Sequence, residues 1–265
     1  MKISRNSYYA FLAKPEGVRS LKNDLLLQKI RSFFDQSKSR YGSPRITAVL
    51  RKDGLRVGKN RVARIMKINE IAVKVRHKQK YTKSNNMKAN TDDLVQRQFK
   101  PEVPNRIWGS DITYIRTRQG WKYLSVVMDL CSRMIVGWKV SSSQDENIII
   151  NTLQSALHSR KPENDLIFHS DRGSQFKSAG VKKLLKDNNI KQSMGAKATC
   201  YDNAVLESFF STLKKELIYR QKYMDLEELK KSLFEYIEIF YNRQRKHSTL
   251  GYLSPFEFES KINFY

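Results

Sequence analysis

Cysteine is nearly absent from this sequence: Cys131 and Cys200 are the only two in 265 residues. Two are too few for a disulfide framework or a cysteine-rich zinc site, and they suit a reducing compartment. Long apolar runs are missing as well. No stretch approaches the roughly 20 residues needed to cross a bilayer, and the opening MKISRNSYYAFL has no signal-peptide core. Membrane and secreted classes are thereby set aside, and a cytoplasmic protein is expected. Internal repeats and low-complexity blocks are also lacking. Acidic residues are scarce: 26 Asp and Glu stand against 50 Lys and Arg, for a formal net charge of +24.

That positive charge calls for a polyanionic partner, because neutralising phosphates releases condensed counterions. It is unevenly spread. The first hundred residues carry 25 Lys and Arg against 7 Asp and Glu, while the rest carry 25 against 19. The basic first third is therefore expected to bind nucleic acid. A content of 40% hydrophobic and 11% aromatic residues is enough for a packed core, and the length suits about two domains.

Residues 20–38 repeat apolar side chains at helical spacing, with Leu21, Leu25, Ile30, Phe33 and Phe34 able to share a face. In YGSPRITAVLRKDG, Ser43 is expected as N-cap, Pro44 as first helical residue and Gly54 as the stop. After a turn from Gly54 to Gly58, a second helix from about Lys59 to Asn69 would bury Val62, Ile65 and Met66. Asn60, Arg61, Arg64 and Lys67 would stay outside. The pair predicts a basic, helix-turn-helix-like DNA-binding domain over residues 1–75, with Arg45, Asn60, Arg61, Arg64 and Lys67 as DNA contacts. A small basic bundle touching only phosphates fits the same pattern. Residues 76–105, polar and aperiodic, are expected as a linker.

From Ile107 the pattern turns to strands. IWGSDITYI, WKYLSVVMDL and RMIVGWKV read as an antiparallel meander, SQDENIIINTLQSALHSR as an amphipathic helix and DLIFHS as a buried parallel strand. FKSAGVKKLLKDNN is helical, IKQSM a brief strand and YDNAVLESFFSTLKKELI a strong helix. The order β-β-β-α-β-α-β-α predicts an α/β domain over residues 106–220, a ribonuclease-H-like core with a mixed five-stranded sheet. Residues 221–265 are expected to add a C-terminal helix and a basic tail.

Three acids stand out. Asp111 lies in the first strand, on the face opposite Trp108, Ile112 and Tyr114. Asp171 follows the fourth strand directly, where α/β sheets place functional groups, and in this topology the first and fourth strands are neighbours. Glu207 falls at the edge of the stripe formed by Val205, Leu206, Phe209, Phe210, Leu213 and Leu217, with Lys214 on the same border. Such a trio suits Mg²⁺, which prefers hard oxygen ligands and keeps positions open for phosphate and water. Two ions about 4 Å apart stabilise both oxygens of an in-line displacement at phosphorus. His169, Gln175 and Asn203 are expected to position water or a DNA strand, and Lys214 to grip DNA near the cut.

Each acid alone has a plainer reading: Asp111 as an edge residue, Asp171 before Arg-Gly as a turn former, Glu207 as a solvated helix position. Asp129, Asp145 and Asp202 read as turn or cap residues, although Asp129 lies close to the second strand. Near the end, Arg243, Arg245 and Lys246 are expected to contact DNA, with Tyr241 and Tyr252 among them available to stack on unpaired bases.

At these residues the chain resembles the DDE transposases of bacterial insertion sequences, most closely the B-frame protein of the IS-three family. WGSDITYI, SDRGSQF and DNAVLESFFSTLK carry the likeness, in that order and with 35 residues between Asp171 and Glu207. SYYAFL, YGSPRI, RVARIM and YNRQRKHSTLGYLSPFEF extend it over nearly the whole length. The resemblance implies that Asp111, Asp171 and Glu207 are catalytic acids and metal ligands in a retroviral-integrase-like core. It implies Mg²⁺, with Mn²⁺ able to substitute, and double-stranded DNA as substrate: the element's terminal inverted repeats and a target. The implied reaction frees a 3′-OH at a transposon end and transfers it to another phosphodiester, with joined ends as a circular intermediate.

A homo-oligomer on DNA is expected, in a bacterial, nucleoid-associated setting. The family's active enzyme is usually a frameshift fusion, which implies an upstream-frame protein as fusion partner. The His/Cys zinc module of retroviral integrases has no counterpart, because His77, His158, His169, His247 and the two cysteines are too scattered. Two other functions share this composition: a catalytically silent DNA-binding regulator on an integrase-like scaffold, and a nuclease for RNA–DNA hybrids. The intact acids argue against the first and the basic N-terminal third against the second.

Overall fold

The computed structural model describes residues 4–12, 18–73, 101–163, 165–195 and 204–262. The chain divides into two compact units, Met1–Val75 and Arg76–Tyr265. Among the described residues no helix is long and apolar enough to cross a membrane.

The first unit holds helices α1 (Arg5–Leu12), α2 (Val18–Gln36), α3 (Ser43–Lys52) and α4 (Lys59–Ile68). Its core comes from Leu26 and Ile30, Ile46 and Leu50, and Val62, Ile65 and Met66. The phase of α2 departs from expectation: Leu21 and Leu25 are exposed, and Leu26 turns inward instead. Three successive leucines, Leu25 to Leu27, permit either phase, and packing against α3 and α4 selects one. Helix α3 begins a residue early, with Gly42 as N-cap and Ser43 inside the first turn. Its end is as expected. Gly54 sits at φ +83°, and the N–H of Leu55 reaches the Leu50 carbonyl at 3.0 Å in a Schellman closure. Arg51 Nε then donates to the Val57 carbonyl at 2.9 Å, fastening the turn into α4.

The second unit contains β1 (Ile107–Thr117), β2 (Gly120–Asp129), β3 (Ile135–Ser141), α5 (Glu146–Arg160), β4 (Ile167–Ser170), α6 (Ala179–Asp187), β5 (Lys191–Met194), α7 (Ala204–Glu216), α8 (Leu226–Phe234) and α9 (Pro255–Ile262). The strands form one five-stranded sheet in the order β3-β2-β1-β4-β5. The first three are antiparallel, and β4 and β5 run parallel to β1. This is the mixed ribonuclease-H-like sheet that the element order predicts. On one face, Trp108, Val127 and Phe168 pack with Ile149 and Leu153 of α5 and Val181 of α6. On the other face α7 comes close to β1. A Cβ at Gly109 would stand 3.1 Å from Leu206 and 3.0 Å from Leu130, so glycine is what admits the helix there.

Residues 221–262 do not form a tail. Helix α8 runs on into a seven-residue π-helical stretch, Glu235–Tyr241. Asn242 then takes the place of a neighbouring strand at the start of β3, donating to the Ile135 carbonyl at 2.9 Å and accepting from its N–H at 3.0 Å. A capping box opens α9: Ser254 Oγ accepts from the Glu257 N–H, and Glu257 Oε2 from the Ser254 N–H. Glu259 takes two guanidinium nitrogens of Arg160 at 2.8 and 2.7 Å and the Ser132 hydroxyl at 2.6 Å. Helix α9 is thereby bolted to α5 and to the β2–β3 turn.

Candidate active site

Strands β1 and β4 pair over four positions, ending at Ser110 opposite Ser170. Asp111, still within β1, and Asp171, the first residue past β4, come next along the two chains, so the two aspartates stand at the same level of the sheet. Asp111 is half-buried. Burial pushes its carboxyl up to about 7, helped by the charges of Asp171 and Glu207 and opposed by the Ile112 N–H and Lys214. The Ile112 N–H donates to it at 2.7 Å.

Asp171 is exposed and shapes a turn as well: its Oδ1 accepts from the Gly173 N–H at 2.9 Å. A Cβ at residue 173 would lie 3.0 Å from that oxygen and 3.1 Å from Gln175 Oε1, so any larger residue would crowd both side chains. The turn-former reading of Asp171 is thereby met, and its carboxylate remains exposed.

Glu207 lies in the first turn of α7, exposed, while Leu206, Phe209, Phe210 and Leu213 of the same helix are buried. The positive end of the helix dipole favours a carboxylate there. Two turns on, Lys214 Nζ stands 4.9 Å from the Tyr114 ring centroid and draws the Asp111 carboxyl downward. The charges of Asp171, Glu207 and Lys214 are therefore all felt at Asp111, where the pairing of β1 with β4 ends. Among the described residues no three acid, imidazole or thiol groups are already set to hold an ion. The acids share a field rather than forming a closed cage.

The other expected residues fall in several places. His169 is buried, its Nδ1 3.0 Å from Ser193 Oγ on β5; it anchors β4 from within rather than meeting a DNA strand. Gln175 is half-buried beside Asp171. Asn203 and Asp202 lie outside the described residues. Asp129 is fully buried and accepts from the N–H groups of Asn105, Cys131 and Ser132, which makes it the organiser of the turn after β2. Asp145 caps α5. Burial pushes the Cys131 thiol up to about 12, leaving it unreactive.

Of the expected DNA contacts, Asn60, Arg64 and Lys67 are exposed along α4. Arg61 is half-buried and donates twice to Asn23 Oδ1, at 3.2 and 2.8 Å, and the Arg45 guanidinium stands 5.6 Å from the Tyr41 centroid. Arg243 is exposed against Phe256, and Lys246 is paired with Glu257 at 2.6 Å. Arg245 does not fit the expectation. It is 5% exposed, and its Nε and Nη2 each meet a Glu216 oxygen at 2.9 Å. Tyr241 is buried too, edge-on to Phe209 and His247. Glu216 itself was not among the expected residues. The available signal was its place on the apolar stripe of α7, three residues after Leu213.

Comparison with known proteins agrees with this geometry. Residues 21–79 match the HTH-like domain family, and residues 101–200 and 207–262 match two integrase core domain families. The second core match runs from Glu207 through α9, the segment that the structure fastens to the sheet. Transposase InsF for insertion sequence IS3A of Escherichia coli is 40% identical over 86% of this chain and 80% of its own length. The transposase for insertion sequence element IS904 of Lactococcus lactis is 36% identical over 91% of this chain and 96% of its own. Among solved structures, a chain of the simian T-cell lymphotropic virus intasome covers 88% of this chain and 74% of its own with a TM-score of 0.52 at 14% identity, a likeness of fold.

Proposed function

Because the chain belongs to the IS3 family of insertion-sequence transposases, we propose that it cuts and rejoins DNA at the ends of its own element, with Asp111, Asp171 and Glu207 as the acids of the reaction. The observation that carries this is the placing of Asp111 and Asp171 at one level where the pairing of β1 with β4 ends, with the charges of Asp171 and Glu207 both felt at Asp111. The donor set fits divalent cations. It offers three carboxylates as hard oxygen ligands, and their mutual repulsion is already felt at Asp111. Asp111 and Asp171 would hold one ion and Glu207 a second. Mg²⁺, or Mn²⁺ in its place, would when bound offset the acids' charge and polarise the phosphodiester under attack.

The chain's own residues supply position. Lys214 holds the DNA backbone beside the acids, and Asp171, fixed by its turn, keeps its carboxylate aimed past the sheet margin. Water attacks phosphorus at the transposon end and releases a 3′-OH; that hydroxyl then attacks a second phosphodiester. The transfer step exchanges one phosphodiester for another, so no external energy source is needed. Asn60, Arg64 and Lys67 of α4, with Arg45, contact duplex DNA of the inverted repeats, in keeping with a helix-turn-helix-like unit. The working form is an oligomer on DNA, joined to an upstream-frame segment.

The test is a substitution that leaves shape alone. Glu207→Gln should abolish Mg²⁺-dependent cleavage of DNA bearing the element's inverted repeat, while retardation of that DNA in a gel is unchanged. Full residual cleavage would remove Glu207 from the site. Unchanged binding with no cleavage or joining by the unsubstituted chain would favour a silent regulator.

A further inference from the structure

Two large aromatic side chains on the β1–β2 hairpin have no place in the core. Tyr114 is 60% exposed and Trp121 46%. Their rings meet edge-on, with centroids 5.3 Å apart at 83°. A cation stands at each end of the pair: Lys214 Nζ lies 4.9 Å from the Tyr114 centroid, and the Arg116 guanidinium 5.2 Å from that of Trp121.

Strand register explains the row. Arg116 faces Trp121 and Tyr114 faces Tyr123 across the ladder, and the two-residue period puts all four on one face of the sheet. Nearer the start of β1, that face is covered: Trp108 is buried and Ile112 packs partly into the core. Tyr123, opposite Tyr114, still packs against that core, while Tyr114 itself stands out of it. The hairpin tip is held in place, since the N–H groups of Arg118 and Gln119 donate to the carbonyls of Tyr223 and Met224 at 2.9 and 3.3 Å. Exposed cation–π contacts add little to stability, so folding alone gives small reason to display this row.

Resting on the reading above, we propose that Arg116, Trp121, Tyr114 and Lys214 form a stacking platform for unpaired bases of the DNA strand that enters the acid site. Rings offer their faces to bases of any sequence, and the flanking cations meet the phosphates between them. Lys214 joins platform to site, because its charge also acts on Asp111. Tyr114 is three residues beyond Asp111, about 10 Å along an extended strand and on the opposite face; beyond Ser110, where β4 no longer pairs with β1, Lys214 reaches both residues, so a strand of about three nucleotides would span the distance. The stacking role that the sequence suggested for Tyr241 thus moves to the hairpin, where the rings are accessible.

The experiment uses the full chain and two fluorescent probes of equal length, an oligothymidylate and a blunt duplex, read by anisotropy. Trp121→Ala and Tyr114→Ala should each weaken oligothymidylate binding about tenfold, the loss of one base stack, and leave duplex binding nearly unchanged. Trp121→Phe should retain most of the oligothymidylate binding. In the unsubstituted chain, an iodouracil-substituted oligonucleotide should photocrosslink to Tyr114 or Trp121, which keeps the test valid should an alanine variant misfold.

Normal oligothymidylate binding by both alanine variants would overturn the proposal, as would crosslinks confined to the first unit. So would a dimer that the variants lose while still binding oligothymidylate, since the rings would then serve a second copy of the chain. The two readings fail separately. A chain that never cuts DNA but loses oligothymidylate binding on substitution keeps the platform and refutes the reaction. A chain that cuts DNA while both variants bind normally does the reverse.

Discussion

Glu207 and Glu216 ride the same helix and have opposite surroundings. Glu207 opens α7 in an exposed position, its charge acting on the Asp111 carboxyl. Glu216 closes it, buried, and takes two nitrogens of Arg245 and the Tyr236 hydroxyl, all at 2.9 Å. Burial works against the charge of Arg245, yet hydrogen bonds and attraction from Glu216 outweigh it and raise the guanidinium above its ordinary range. Burial and the Glu216 charge likewise push the Tyr236 hydroxyl up. Where α7 must be held, its carboxylate is matched atom for atom. Where chemistry is proposed, the carboxylate acts against a like charge at Asp111 that Lys214 relieves in part and a bound cation would relieve further.

The widest gap between the two ends should appear in activity. Asp111→Asn and Glu207→Gln should each reduce Mg²⁺-dependent strand cleavage to background. Glu216→Gln, assayed where it remains folded, should still cut. A gel assay normalised to the folded fraction makes the comparison, and equal losses at both ends would erase it.

In stability the order reverses. Glu216→Gln leaves Arg245 buried without a counter-charge and should lose about 3–5 kcal/mol in denaturant unfolding. A double change, Glu216→Leu with Arg245→Met, should lose less than either single change, because no charge is then stranded. Additive losses would mean that the two side chains contribute independently.

Asp111 sharpens the contrast through pH. Its carboxyl titrates at about 7 in the folded chain against 3.8 ordinarily, so the unfolded chain releases this proton first. The stability it contributes is whole below about pH 4 and is lost as pH rises through about 7, by up to about 4 kcal/mol in the metal-free chain. Asp111→Asn should flatten that slope. Added Mg²⁺ should raise the melting temperature more at alkaline than at acid pH, because protons compete for the same oxygens. The smallest effect belongs to Glu227→Gln on the outer side of α8. Its exposed pair with Lys230 should contribute less than about 0.5 kcal/mol to the unfolding free energy.

Much of the site is legible in the sequence because strand period and strand ends are local signals. The alternation in WGSDITYI places Asp111 opposite Trp108, and the apolar run before Asp171 marks where β4 stops. Partner choice over distance is not legible in this way. Arg245 sits in a run of cations and reads as surface, but its partner lies 29 residues away at the end of α7. The phase of α2 is undecidable from Leu25, Leu26 and Leu27 alone. Helix α9, by contrast, announces itself: Ser254, Pro255 and Glu257 carry the capping-box pattern with proline at the first helical position, a signal hidden by reading the segment as a tail. Asp129 was open from composition, and only the three amides converging on it settle its part.

The seam between β1 and β4 is four rungs long, and the two aspartates stand at its open end. A seam parts from its end, so the first residues to separate on warming would be those on which the proposed reaction depends. Local opening takes far less free energy than melting the whole unit. Thermal inactivation would therefore run ahead of the loss of circular dichroism, and the chain would fall silent while still folded.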